Sequence, residues 1–272
     1  MRTTLFTVLA TTLALALFAG CGEDAAVEPA AEIATIDSPE SAVSVYEAAV
    51  SNPLRPAADR DRDAGRKPAD VLEFMGIEPG MTVLDMYSGG GWYAEVIAHV
   101  VGSEGRVIAH SNEAYKNFVG DALEERFAAG RVPQVEILMA ANNHVSLEDN
   151  SLNAVMLAQA FHDMYHEDID NDWELLDRAA FLAELRKGLK SDGIVAIIDH
   201  TAAAGSPPET GDTLHRIDPE LVIANMEAAG FVFEASSDLL KNPDDDLTQA
   251  VFAKDIRGKT DRFIMRFRNT QP

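Results

Sequence analysis

The chain has 272 residues, of which 22 are basic and 45 acidic, giving a formal charge of −23. Nucleic acids and anionic lipid head groups are bound mainly through basic patches, so neither is an expected partner. A single cysteine excludes any disulfide within the chain.

The first residues, MRTTLFTVLATTLALALFAGCGE, place Arg2 ahead of an apolar run from Leu5 to Ala19. A comfortable membrane span needs about 20 apolar residues; this run is shorter and stands where the apolar part of an export signal belongs. Its end, Leu17-Phe18-Ala19-Gly20-Cys21, resembles the lipobox of bacterial lipoproteins, although Phe18 is an unusual occupant of its position. That resemblance implies cleavage before Cys21 and a lipid on its thiol; an ordinary export signal with a stray cysteine is the alternative. The expectation is a signal peptide over 1–20 and an exported, membrane-anchored lipoprotein facing the periplasm. Residues 21–40 are small, acidic and free of aromatics, cannot bury enough apolar surface to fold, and read as a tether. Residues 41–272 are long enough for one sizeable core, hence one domain.

Near the start of that domain Arg55, Arg60, Arg62, Arg66 and Lys67 interleave with Asp59, Asp61 and Asp63. The pattern reads either as a solvated, salt-bridged helix or as a lid recognising an anionic substrate. Short apolar runs then alternate with amphipathic segments. Strands are expected at Met81 to Tyr87, Arg106 to His110, Val135 to Met139, Ala154 to Ala158 and Gly193 to Asp199. Helices are expected at Trp92 to Val101 and at Trp173 to Lys190, whose Leu175, Leu176, Ala179, Leu182, Leu185 and Leu189 recur at helical spacing. Parallel strands need crossover connections, so this alternation predicts a doubly wound, mostly parallel α/β sheet in a single domain.

In such sheets ligands sit at the carboxyl ends of the strands, near the point where strand order reverses. Gly89, Gly90 and Gly91 fall there, where the first strand meets the next helix. A glycine run costs backbone entropy and is expected where the chain turns sharply or a ligand approaches the backbone. No Gly-Lys-Ser/Thr follows, as a phosphate-binding loop would require. Asp85 precedes the loop, and no lysine or arginine lies between Met81 and Val101. A carboxylate in that place suits a locally cationic ligand rather than a pyrophosphate, and S-adenosylmethionine, with a sulfonium and an ammonium, is one.

Val83-Leu84-Asp85-Met86-Tyr87-Ser88-Gly89-Gly90-Gly91 resembles motif I of the class I S-adenosylmethionine-dependent methyltransferases. The resemblance extends over Pro68 to Phe267 through Gly80-Met81, Gly105-Arg106-Val107, Asp149-Asn150-Ser151-Leu152, the segment from Leu185 to Gly193, and Ala228-Ala229-Gly230-Phe231. Among class I members the chain is most similar to a group of exported predicted methyltransferases of unidentified substrate. The resemblance implies S-adenosylmethionine as cofactor, held by Asp85, Tyr87, Ser88, Gly89 and Gly91. Tyr87 replaces the usual first glycine of the motif, and the acid that usually ends the second strand is replaced by Ser111, followed by Asn112 and Glu113. Asn112 or Glu113 is then the candidate for the ribose, and Asn142 with Asn143 for the adenine side.

Substrate residues are expected beyond strands four and five. His162 and Asp163 follow the fourth, Asp199 and His200 end the fifth, and His215 lies in a later loop. The Asn/Asp-Pro-Pro-Tyr signature of amide and nucleobase methyltransferases is absent. His162, Asp163, His200 and His215 are therefore candidates for placing and deprotonating a small acceptor, or they bond to one another as loop caps. The same side chains, with His166, could ligate a metal; with no cysteine pair or HExxH motif, no metal is expected. Two functions follow: a methyltransferase acting on a small molecule, or a binding protein that keeps the fold without the transfer.

Overall fold

The computed structural model describes residues 43–271. The expected signal peptide and tether, and Cys21, lie outside the described residues. Four short helices open the described chain: α1 (Val45–Val50), α2 (Ala57–Arg60), α3 (Asp63–Arg66) and α4 (Pro68–Met75). There follow β1 (Thr82–Met86), α5 (Trp92–Val101), β2 (Arg106–Ser111), α6 (Glu113–Val119), α7 (Ala122–Phe127), β3 (Val135–Met139) and β4 (Leu152–Ala158). The chain closes with α8 (Arg178–Gly188), β5 (Leu189–His200), α9 (Thr210–Leu214), α10 (Pro219–Ala228), β6 (Phe231–Ser237) and β7 (Arg262–Asn269).

The strands form one seven-stranded sheet in the order β3-β2-β1-β4-β5-β7-β6. β1 to β5 run parallel, while β7 pairs antiparallel with both β5 and β6. The doubly wound expectation is met. Because strand side chains alternate between faces, Leu84, Met86, Val155 and Leu157 enter one core and Val83, Ala154, Met156 and Ile198 the other. Burial on both faces explains why these strands read as unbroken apolar runs.

The α8 expectation changes at both ends: the helix stops at Gly188 rather than Lys190, and β5 begins at Leu189 rather than Gly193. The helix begins at Arg178, capped by Asp177, whose side chain accepts the Ala180 N–H, rather than at Trp173. Trp173 instead pairs by its backbone with Asp168 and turns its ring toward Tyr87 and Tyr115. β1 lies between β2 and β4, so the connections leaving β1 and β4 depart in opposite directions and open a crevice at the carboxyl edge.

Candidate active site

That crevice is a cavity of about 1120 Å³ walled by the loop after β1, by α6, and by the segments after β4 and β5. At its floor Asp85 is buried, receiving the Ser88 hydroxyl at 2.5 Å. Burial raises its carboxyl from 3.8 to about 6, against the lowering effects of Ser88, the Ala94 N–H and the Arg66 charge.

The loop itself turns through three left-handed positions, with φ of +56° at Tyr87, +56° at Gly89 and +75° at Gly91. The two glycines serve different ends. A Cβ on Gly89 would meet nothing within 4 Å, so backbone is bared to the cavity there. A Cβ on Gly91 would lie 2.7 Å from Phe127 and 2.9 Å from Arg126, so this glycine admits α7 against α5 and does not face the cavity. Tyr87 takes up a left-handed conformation unfavourable to any side chain. Its ring is held by His110 at 5.3 Å, Tyr115 at 5.4 Å, Trp173 at 5.8 Å and Phe181 at 6.2 Å. Its hydroxyl is buried without a hydrogen-bond partner in the protein.

The expected ribose and adenine residues lie off this wall. Ser111 and Asn112 are buried, and Glu113 stands exposed in the first turn of α6. Asn112 accepts the Tyr115 N–H and donates to Asn142 at 2.6 Å, so the two asparagines satisfy each other. The wall at this point is made by Tyr115 itself, which no motif marked. The N-terminal basic segment divides between its two readings. Arg55 is buried in a bidentate pair with Asp63, and Lys67 donates to the Leu239 carbonyl, whereas Arg62 and Arg66 line the cavity. Arg66 lies over the Trp92 ring at 4.7 Å, and burial lowers its pKa to about 10. Arg262, from the antiparallel β7, joins it on the cavity wall.

At the other end the segments after β4 and β5 bring His162, His166, His200 and His215 onto one wall. His162, in a turn of 3-10 helix over His162–Tyr165, places Nδ1 2.7 Å from Asp199 Oδ1, while its backbone N–H donates to Asp199 Oδ2. Its Nε2 lies 3.2 Å from Asp163 Oδ1, and His215 Nδ1 lies 3.8 Å from that same oxygen. Tyr115 donates its hydroxyl to Asp163 Oδ2 at 2.7 Å. Burial opposes a charge on His162, but Asp199 and Asp163 outweigh it and its pKa rises to about 10. Burial likewise opposes the Asp163 charge, yet His162 holds that carboxyl well below its ordinary range. His200, bonded to Thr260, is pushed well below its ordinary value, by burial first and then by neighbouring positive charge, so its imidazole is neutral. His162, Asp163, His200 and His215 all line the cavity.

Comparison with known proteins agrees with this architecture. Residues 41–141 match the family model for protein-L-isoaspartate(D-aspartate) O-methyltransferase. That match spans β1 to β3 and stops before the histidine segment. A SAM-dependent methyltransferase from Aquifex aeolicus is similar at 23% identity, covering 76% of this chain and 98% of its own, with a TM-score of 0.54. The arsenic(III) S-adenosylmethionine methyltransferase of Chlamydomonas reinhardtii aligns at 15% identity over 84% of this chain and 74% of its own, with a TM-score of 0.52. The [4+2]-cyclase SpnF aligns at 17% identity over 82% of this chain and 86% of its own, also at 0.52. No curated protein sequence matches the chain. The fold is that of the class I S-adenosylmethionine-dependent methyltransferases.

Proposed function

We propose that the protein is an S-adenosylmethionine-dependent methyltransferase acting on a small molecule, exported and held at a membrane by a lipid on Cys21. One observation carries the catalytic reading: the bared backbone of Gly89 and the buried carboxylate of Asp85 share one cavity with the histidine cluster. The residues present fit the cofactor. Asp85 would face its ammonium, Arg66 its carboxylate, and Gly89 leaves room for its sulfur end, with Tyr87 and Ser88 beside it. When bound, the cofactor supplies an electrophilic methyl group on a sulfonium. At the acceptor end Asp163 and His215 would position the nucleophile, with the neutral imidazole of His200 beside them on the cavity wall.

The cavity's volume and the chain's net charge of −23 favour a small acceptor over a nucleic acid. Export and lipidation are proposed from the leader sequence; no helix among the described residues is long and apolar enough to cross a membrane. The second reading, a protein that binds a ligand without transfer, draws on the likeness to a cyclase of the same fold. Incubation with methyl-labelled S-adenosylmethionine and panels of phenols, thiols and carboxylic acids separates the two. Acceptor-dependent formation of S-adenosylhomocysteine is expected; a chain that binds the cofactor yet turns over with none of them supports the second reading.

A further inference from the structure

The histidine end of the cavity carries more donor atoms than holding an acceptor requires, and they are aimed at one point. His162, Asp163 and His215 each offer one ligand atom, and these atoms all lie within 4.8 Å of one another. We propose that these three side chains bind one divalent transition-metal ion of the zinc or cobalt class, with a coordination position left open to the cavity.

The spacing is the first support. Ligands about 2.0 Å from a tetrahedral ion stand roughly 3.3 Å apart. The observed separations of 3.2 Å between His162 and Asp163 and 3.8 Å between His215 and Asp163 lie within about half an ångström of that value, and the third pair lies within 4.8 Å.

Orientation is the second. The atoms not needed for an ion are already engaged elsewhere. Asp199 takes Nδ1 of His162 at 2.7 Å and grips the same residue's backbone N–H at 2.8 Å, so the ring turns Nε2 inward. Tyr115 donates to Asp163 Oδ2, which leaves Oδ1 facing both imidazoles. A carboxylate behind a histidine is the arrangement that fixes the tautomer and angle of ligating imidazoles. His215 reaches the group from a left-handed backbone conformation, φ +54°, at the end of α9. A conformation so unfavourable for a β-carbon persists where surrounding structure enforces it, and is concentrated at functional sites.

Ligand chemistry selects the ion. Two nitrogens and one oxygen suit zinc, cobalt or their neighbours, whereas calcium and magnesium take oxygen donors. The site needs no cysteine and no HExxH helix, because the turn after β4 packs against α9 and the two segments deliver the ligands together. Metal binding itself does not depend on the methyltransferase reading. The suggestion that the open position receives an acceptor oxygen or sulfur does.

The full chain, stripped with a chelator and dialysed, is titrated with Zn²⁺ by calorimetry and with Co²⁺ by visible absorption, in the absence of any cofactor. One ion per chain is expected, with affinity reduced at least about tenfold in both Asp163→Asn and His215→Gly. The glycine variant removes the imidazole while favouring the local backbone conformation, so it is expected to fold. His144→Gln, an exposed histidine away from the cluster, should bind as the unaltered chain does. Absence of saturable binding overturns the proposal and leaves His162 as an imidazolium clamped by Asp163 and Asp199. Unchanged affinity in both folded variants overturns it as well, since the ion then sits elsewhere.

Discussion

Arg126 donates from Nε to the carbonyl of Gly90 at 2.5 Å, and so ties the glycine loop to α7. The same guanidinium reaches Glu95 at 2.6 Å and Asp59 at 2.5 Å, while Arg131 closes on Glu95 from the other side at 2.7 Å. Glu95 is 1% exposed, so its charge depends on these partners. Removing one partner of a buried pair costs more than the pair itself contributes. Arg126→Ala is expected to lose about 3 kcal/mol of stability in urea unfolding and to weaken ligand binding through the loosened loop. Unchanged stability would show that Arg131 alone satisfies Glu95.

Acid should unfold the domain through the same residue. Burial works against the Glu95 charge, but His99, Arg131 and Arg126 outweigh it and hold the carboxyl far below its ordinary value of 4.5. A depressed pKa contributes stability that is present above the unfolded value and lost as pH falls below it. Unfolding free energy should therefore decline below about pH 4.5, with a shallower decline in Glu95→Gln measured from its own lower starting point.

Gly89 and Gly91 should separate folding from binding. Gly91→Ala drives a methyl into Phe127 and Arg126 and is expected to cost about 3 kcal/mol. Gly89→Ala points into open cavity and should cost only about 1 kcal/mol, from its left-handed backbone, yet abolish binding of S-adenosylhomocysteine. Thermal melts and calorimetry on the two variants check this; equal melting losses would refute the distinction.

At Tyr87 aromatic packing offsets backbone strain, and its hydroxyl gains no protein partner. Tyr87→Phe should be neutral or stabilising by about 1 kcal/mol. Tyr87→Gly relieves the strain but empties the aromatic cluster, and a net loss of about 2 kcal/mol is expected. Chemical denaturation of both variants decides; a more stable Tyr87→Gly would mean that the strain outweighs the packing.

Much of this was legible in the sequence. The central strands are apolar on both faces because helices cover both, and Asp85 and the glycines announced the end of β1. His162, Asp163, His200 and His215 could be placed on one edge because β4 and β5 were recognisable. The division of labour between Gly89 and Gly91 was not legible, because the atoms that exclude a side chain at Gly91 belong to Leu123, Arg126 and Phe127, set there by tertiary packing. For the same reason Asn112 and Asn142 read as ligand groups, when strand register places them against each other. Trp173 fitted the helical periodicity of α8 and was drawn instead into the aromatic cluster. Tyr115 had one unread signal: it stands three residues after an asparagine able to cap its helix.

The pH dependence of S-adenosylhomocysteine binding to the full chain tests the central claim most directly. Burial first, moderated by Ser88, Ala94 and Arg66, sets the Asp85 carboxyl at about 6. With its pKa raised from 3.8, its ionisation lowers fold stability as pH rises from 3.8 to about 6, while supplying the charge that an ammonium ligand needs. Affinity measured by calorimetry should therefore climb as pH increases through about 6 and level off above it, whereas folded Asp85→Asn should bind roughly tenfold or more weakly without that step. An unmodified chain that binds no S-adenosylhomocysteine at any pH, or a folded Asp85→Asn that matches it in both affinity and pH profile, would contradict the assignment of this cavity.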